Sequence, residues 1–233
     1  MTVKALFMSR TLIIIPAFNE APALGRVLAS LPKKNSFSLC DVVVIDDGST
    51  DATSTIAKSK NVKVIKHLIN RGLGAVLATG FAYARKKNYD FVITFDADGQ
   101  HKAIDIPKIL KPLYLNKADV VIGSRLLNQT SMPFIRKIVN YFSNIFTYIL
   151  FGIWTTDSQS GLRAFNKKAF SSINIKTQRM EVSSEIFKEI QKNKLYLTEI
   201  SVQSIYTKYS LNKGQKISNA PNVIWKLLLH RFS

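Results

Sequence analysis

Phe91-Val92-Ile93-Thr94-Phe95-Asp96-Ala97-Asp98-Gly99-Gln100-His101 is a short apolar run that stops at two carboxylates, a glycine, an amide and an imidazole. The same arrangement recurs on either side of it. Leu12-Ile13-Ile14-Ile15 runs into Pro16-Ala17-Phe18-Asn19-Glu20, Val42-Val43-Val44-Ile45 into Asp46-Asp47-Gly48-Ser49, and Val120-Val121-Ile122 into Gly123-Ser124-Arg125. Short runs of β-branched and aromatic residues, apolar on both sides, predict buried strands at 12–15, 42–45, 62–66, 91–95 and 120–122. Helical signals separate them. Asn19 is a candidate N-cap ahead of Pro22 for a helix to about residue 31, Ser49 or Thr50 for one through about 58, and Gly72-Leu73-Gly74 opens one to about 87. Strands alternating with helices predict an α/β fold, with a mostly parallel sheet covered by helices on both faces. Four polar motifs at the carboxyl ends of strands mark the edge where such sheets bind ligands.

Composition narrows the partners. The chain has 233 residues, 46% hydrophobic and 21% charged, which suits a globular domain and excludes disorder and coiled coil as descriptions of the whole. A single cysteine, Cys40, excludes an internal disulfide framework, fits a reducing compartment and has no local context for reactivity. The apolar run ending at Pro16 is too short for a signal peptide, and no transmembrane helix is expected. Lys and Arg total 33 against 15 Asp and Glu, a net charge of +18. No acidic residue lies between Asp119 and Asp157, or after Glu199. Such stretches suit phosphorylated substrates or an anionic membrane face. Nucleic acid is not expected as a partner, because no recognition module is present.

The strongest chemical signal is Asp96-x-Asp98-x-Gln100. Two carboxylates at a strand end, with a neutral oxygen two residues on, form an all-oxygen donor set for Mg²⁺ or Mn²⁺, completed by phosphates and water. A metal there would neutralise a diphosphate leaving group. The carboxylates of Asp46-Asp47-Gly48-Ser49 can accept from a base or ribose, or serve as a helix cap and turn. Asn70-Arg71-Gly72-Leu73-Gly74 offers backbone amides and Arg71 to phosphate, but its spacing matches neither a Rossmann fingerprint nor a P-loop. Glu181, Glu185 and Glu189, four apart on a helix expected at 182–193, are read as a solvated face. His67 and His230 lack metal-ligand spacing for zinc. The stretch 134–154 is apolar nearly all round, which leaves a buried core helix and a lipid-facing helix both open. Residues 223–232 have the pattern of an interfacial helix, with Trp225 suited to the boundary.

In order, Pro16–Glu20, Asp46–Asp51, Asn70–Gly74, Asp96–His101, Gly123–Arg125 and Asp157-Ser158-Gln159-Ser160-Gly161-Leu162-Arg163 resemble the motifs of family-2 glycosyltransferases with a GT-A fold. The resemblance covers about residues 10 to 218 and is nearest to the polyprenyl-phosphate, or dolichyl-phosphate, mannosyltransferase-like branch. It implies a GT-A domain over 1–218, with a nucleotide-sugar half at 10–125 and an acceptor half at 126–218, followed by an amphipathic basic tail at 219–233. It implies that Pro16, Ala17, Asn19, Glu20, Asp47, Arg71, Gly74, Asp96 and Ala97 line the nucleotide-sugar site. Asp96, Asp98 and Gln100 would hold the metal. Arg125, Arg136, Lys213 and Lys216 would bind phosphates, and Ser160 and Arg163 would shape the acceptor site. Asp98, Arg125 and Asp157 would be the catalytic set, with inversion at the sugar. His101 would touch the diphosphate or orient Asp98. Phe18 stands where the family more often has Tyr, and Lys102-Ala103 where acidic and Pro residues are frequent.

The Glu-Asp base pair of polysaccharide-forming relatives is not evident. A sugar hydroxyl must lose a proton as it attacks, whereas a lipid phosphate is already anionic and needs cations instead. The basic second half therefore fits a phosphate acceptor better than a neutral sugar, and the resemblance implies a hexose transferred from GDP-mannose, UDP-glucose or another nucleotide sugar to polyprenyl phosphate. That points to a cytoplasmic enzyme, peripheral on the inner face of the membrane, with room for a membrane-protein partner. Two rivals stand beside it. One is transfer to a saccharide hydroxyl in glycan or lipopolysaccharide assembly, with Asp157 as base; the other is a non-catalytic nucleotide-sugar-binding subunit.

Overall fold

The apolar run at 12–15 is the middle of a sheet with both faces covered. In the computed structural model, which describes residues 9–33, 38–127, 132–207 and 209, it forms β1 (Arg10–Ala17). Leu12 and Ile14 face one hydrophobic layer, Ile13 and Ile15 the other, and all four are fully buried. The remaining strands are β2 (Leu39–Asp46), β3 (Lys63–Lys66), β4 (Phe91–Thr94), β5 (Val120–Ser124), β6 (Arg163–Asn166) and β7 (Leu197–Ser201). The helices are α1 (Ala21–Ser30), α2 (Thr53–Ser59), α3 (Leu73–Lys86), α4 (Ile106–Tyr114), α5 (Phe134–Phe151), α6 (Lys167–Ser172) and α7 (Val182–Lys192). The sheet order is β3-β2-β1-β4-β6-β5-β7. The α/β class, the mostly parallel sheet and the helices on both faces are as the sequence predicts. The tail at 219–233, with Lys213, Lys216 and the interfacial helix expected at 223–232, lies outside the described residues.

β6 is the strand that periodicity does not reveal. It has four residues, Arg163-Ala164-Phe165-Asn166, and it runs antiparallel to both β4 and β5. Because Arg163 pairs with Thr94 at the end of β4, the loop leading into β6 arrives at the same sheet edge as Asp96. β7 runs parallel to β5, so the chain beyond Ser201 leaves at that edge too. One continuous sheet thus takes strands from both halves of the chain.

Two expected caps are corrected. α1 starts after Glu20, and no side chain of its own loop caps it. Asn19 has a left-handed φ of 53°, and its Oδ1 accepts from Thr50 N at 2.9 Å. The first turn is satisfied across the loops, by Glu20 N donating to Thr53 Oγ1 and Ala21 N to Asp51 Oδ2. α2 starts at Thr53, later than a Ser49 or Thr50 cap requires, because Ser49 N is engaged by Asp46 Oδ1 at 2.8 Å.

The carboxylates of α7 are not a solvated face. Glu181 and Glu189 are buried. Glu189 accepts from Asn174 N, and Glu185 from Lys176 N and Thr177 N, each at 2.9–3.0 Å. They satisfy the backbone of 174–177, a segment with no partner strand. That segment packs on the start of α3, where a Cβ at Gly74 would overlap the Thr177 carbonyl.

α5 resolves the open question at 134–154 with its polar side inward. Asn140, Asn144 and Thr147 are buried, while Phe134, Ile135, Tyr141, Phe142, Tyr148 and Ile149 are exposed, Phe134 at 75%. Among the described residues no helix is long and apolar enough to cross a membrane.

Candidate active site

The carboxyl edge of the sheet gathers five segments: the ends of β1, β2, β4 and β5, and the 155–162 loop before β6. Asp96 follows β4 and Asp98 lies two residues on. Burial works to raise Asp96, but a hydrogen bond from His101 Nε2 at 3.2 Å, with the charges of His101, Arg125 and Arg163, holds its carboxyl below the usual range. Asp98 is pushed above it, first by burial and then by repulsion from Asp96. Two carboxylates in mutual repulsion beside a cleft are a donor set that a divalent cation relieves, and Mg²⁺ is commonly held by one or two carboxylates plus substrate phosphates. The residues fit such an ion on those terms, although no group of three His, Cys, Asp or Glu among the described residues is placed to hold one. Gln100, expected as a third ligand, lies against Asp98. Its backbone N and Nε2 donate to the two oxygens of Asp98 at 2.9 and 2.6 Å, so it positions that carboxylate. Gly161 packs against Asp96 so closely that a Cβ would overlap the carboxylate.

Beside this loop, Arg125 and Asp157 form a buried pair. Arg125 Nε donates to Asp157 Oδ2 and Nη2 to Oδ1, both at 2.8 Å, while the Arg125 backbone N reaches Oδ2 at 2.9 Å. Asn140 Nδ2 adds a bond to Oδ1 at 2.7 Å. Each carboxylate oxygen accepts twice, which exhausts its lone pairs. Burial acts to raise Asp157, but Arg125 and these hydrogen bonds hold it below the usual carboxylate range. Asp157 thus anchors Arg125, with all four of its lone pairs engaged. Burial also acts against the charge of Arg125, and Asp157 overcomes it and raises its pKa.

Ser160 and Arg163 line the cavity beside Asp96 and also hold its loop in shape. Ser160 Oγ donates to Gly123 O, and Arg163 donates to Ser160 O and Ser158 O at 2.8 Å. Both are buried; burial pushes Arg163 down to about 10. Arg136 is half-buried, with its guanidinium 5.9 Å from the ring of Tyr206.

On the nucleotide side, Asp47 is nearly inaccessible and accepts from Arg71 N, Gly72 N and His67 Nδ1 at 3.0, 2.6 and 2.7 Å. It shapes the 70–72 loop and leaves little capacity for a base. The Arg71 side chain is exposed. Pro16 and Asp96 line a cavity of about 90 Å³ with Leu73, Gln159, Gly161 and Met180. Ala17 and Ala97 are buried beneath the loops that carry Asn19 and Asp98, and Glu20 accepts from Tyr209 Oη at 2.8 Å. Gly74 meets the 177–178 backbone and not the cleft.

The profile described as glycosyl transferase family 2 matches residues 12–174. The chain belongs to that family. Two relatives match nearly all of it. An uncharacterized protein of Methanocaldococcus jannaschii is 41% identical over 94% of this chain and 91% of its own length. The UDP-N-acetylglucosamine–dolichyl-phosphate N-acetylglucosaminyltransferase of Methanococcus voltae is 35% identical over 93% and 94%. The undecaprenyl-phosphate mannosyltransferase of Micrococcus luteus is 30% identical over 71% of this chain and 70% of its own. Glucosyl-3-phosphoglycerate synthase of Mycobacterium tuberculosis, solved with Mn²⁺, UDP and glucosyl-3-phosphoglycerate, has a TM-score of 0.77 at 16% identity, over 99% of this chain and 84% of that one. The last shares the GT-A fold. The family-2 chain is a glycosyltransferase, within the branch that the dolichyl- and polyprenyl-phosphate names mark.

Sequence reasoning missed several residues of the site. Glu199 accepts from Thr155 Oγ1, Thr156 N and Thr156 Oγ1 at 2.5–3.1 Å, and so fixes the start of the loop that carries Asp157. Its one signal was its position as the last acid of the chain. Asn140 and Asn144, four apart in an apolar helix, were a readable sign of an inward polar stripe. Asp157→Asn is expected to destabilise the fold by about 3–5 kcal/mol, since it leaves Arg125 buried without its counter-charge. A urea titration measures this. Because the folded Asp157 pKa is depressed, its contribution is present at neutral pH and is lost as pH falls through the folded value. The wild-type advantage over Asp157→Asn should therefore persist from pH 5 to 8 and shrink only in acid.

Proposed function

We propose that this family-2 glycosyltransferase moves the sugar of a nucleoside-diphosphate sugar to the phosphate of a polyprenyl phosphate, with inversion, at the inner face of the cytoplasmic membrane. The observation that carries this reading is the saturated Asp157. Among the described residues, the acceptor side of the site offers cations and no carboxylate free to act as base. A phosphate monoester carries about −1.5 to −2 charges at pH 7 and needs no proton removed before it attacks. What it needs is relief from repulsion by the donor diphosphate. Arg125, locked by Asp157 with N–H groups to spare, and Arg136 supply that relief. The relatives named for dolichyl and undecaprenyl phosphate support the same acceptor.

In the reaction, a phosphate oxygen of the acceptor forms the bond to the anomeric carbon as the bond from that carbon to the diphosphate breaks. The nucleoside diphosphate leaves. Asp96 and Asp98 would hold the Mg²⁺ or Mn²⁺, and that ion, when bound, neutralises the leaving diphosphate. Gln100 fixes the orientation of the Asp98 carboxylate. The cavity beside Gln159 and Met180 would take the sugar, and the 16–20 and 70–72 loops the nucleoside. UDP-N-acetylglucosamine, named for the Methanococcus relative, joins GDP-mannose and UDP-glucose as a candidate donor.

The outward face of α5 supports membrane contact. It exposes aromatic and aliphatic side chains on a helix whose only charges, Arg136 and Lys137, are positive. Such a face suits the interfacial zone of an anionic bilayer. A membrane-protein partner on this face is the alternative occupant.

With a panel of radiolabelled donors, Mg²⁺ or Mn²⁺ and polyprenyl phosphate, label is expected in the organic phase from one donor. Asp98→Ala should remove it. Label in a free saccharide acceptor and none in the lipid would instead establish the hydroxyl-transfer reading. In a flotation assay with vesicles containing anionic lipid, Phe142→Ser combined with Ile149→Ser is expected to lower the bound fraction about tenfold or more. Unchanged flotation would remove α5 from the membrane face.

A further inference from the structure

Beyond β7 the chain does not leave the site. Val202 N donates to Ser124 O at 2.9 Å, Gln203 N to Asp105 Oδ2 at 3.2 Å, and Ile205 N to Gln100 O at 2.9 Å. Ser204 bridges to His101, and Lys102 Nζ donates to Gln203 Oε1 at 2.6 Å. Residues 202–205 are thus fastened along the loop that follows Asp98, and the fastening sets the position of Tyr206. Its ring lies against the Arg136 guanidinium, 5.9 Å from ring centroid to Cζ, and its hydroxyl is near enough to Arg125 to bear on that charge. The Tyr206 hydroxyl is buried and has no hydrogen-bond partner.

A buried hydroxyl without a partner is costly, and native structures seldom keep one without a reason. The two cationic neighbours give this one its meaning. Guanidinium groups only donate, so neither can accept from the phenol O–H. The phenol O–H therefore needs an acceptor, one that is also at home between two positive charges. A phosphomonoester meets both conditions, with three strong acceptor oxygens and a negative charge. Three other buried atoms among the described residues lack a partner: Asn140 Oδ1, an acceptor on an amide already bonded to Asp157, and Ser204 Oγ and His101 Nδ1, on the strap and the Asp98 loop. Tyr206 is the one of these that lies beside both Arg136 and Arg125, and its hydroxyl can donate to an anion without adding charge.

We propose that Tyr206 is a substrate contact, donating its hydroxyl hydrogen to the acceptor phosphate held between Arg125 and Arg136. This rests on the reading of the acceptor as a phosphate. It also assigns a role to the strap at 202–205: by tying Tyr206 to the loop of Asp98, it sets the acceptor phosphate in register with the donor diphosphate. The contact recognises the phosphate group itself and not the lipid tail.

The test is steady-state transfer by Tyr206→Phe, which keeps the ring against Arg136 and removes only the hydroxyl. With a short-chain polyprenyl phosphate, KM for the acceptor is expected to rise about tenfold or more, as for loss of a hydrogen bond to a charged group. KM for the donor should move less than twofold. Inorganic phosphate, used as a competitor, should lose potency by a similar factor, which assigns the contact to the headgroup. If only the lipid acceptor weakens and inorganic phosphate competes as before, the contact is to the tail and the inference fails. Equal acceptor KM in the two proteins, with wild-type transfer intact, also overturns it and leaves the proposed function standing. A wild-type enzyme that glycosylates saccharide hydroxyls and never the phosphate overturns both.

Discussion

Asp157 has no lone pair to spare, and the acceptor side of the site is arranged around that fact. Its oxygens take the backbone N, Nε and Nη2 of Arg125 and the amide of Asn140. A buried ion pair is a poor way to gain stability, because the desolvation of both charges offsets most of their attraction. It is a good way to fix a guanidinium, because the planar fork admits one geometry. The surrounding structure is consistent with that purpose. Glu199 fixes Thr155 and Thr156 on one side of Asp157, and Arg163 fixes Ser158 and Ser160 on the other. These bonds hold the loop that carries Asp157.

The same constraint accounts for α5. The loop at 155–158 has backbone and side-chain groups that need partners away from water. Asn144 Nδ2 donates to Thr156 O at 2.7 Å, and its Oδ1 accepts from Ser158 N at 2.9 Å. Asn140 serves Asp157 in the same way. A helix that must turn its asparagines inward turns its aromatic residues outward. The apolar face of α5 is then a consequence of building a polar site behind it, and the membrane is a medium in which that face is stable.

The parallel part of the sheet was legible because strands buried on both faces read as unbroken apolar runs, as at 12–15 and 42–45. β6 and β7 were not. Arg163-Ala164-Phe165-Asn166 has two polar residues in four, and Leu197–Ser201 is half-buried along its length, so neither gives such a run. The carboxylates at 96 and 98 were readable as a pair because their spacing at a strand end is local information. The state of Asp157 was not, since it depends on partners 32 and 17 residues away in sequence. Gln100 shows the same limit: its spacing suggested a ligand oxygen, and the geometry turns its amide onto Asp98. At 134–154 the apolar composition left both orientations open; the spacing of Asn140 and Asn144 carried a sign of the answer, and the needs of the neighbouring loop explain it.

The central claim is that the acceptor brings its own negative charge, so that the site supplies cations in place of a base. The most direct measurement compares polyprenyl phosphate with the uncharged polyprenol of equal chain length, under one donor and one metal concentration. The account predicts transfer to the phosphate and none above background to the alcohol. Comparable transfer to polyprenol would mean that a group in this site removes a hydroxyl proton, and would contradict the account.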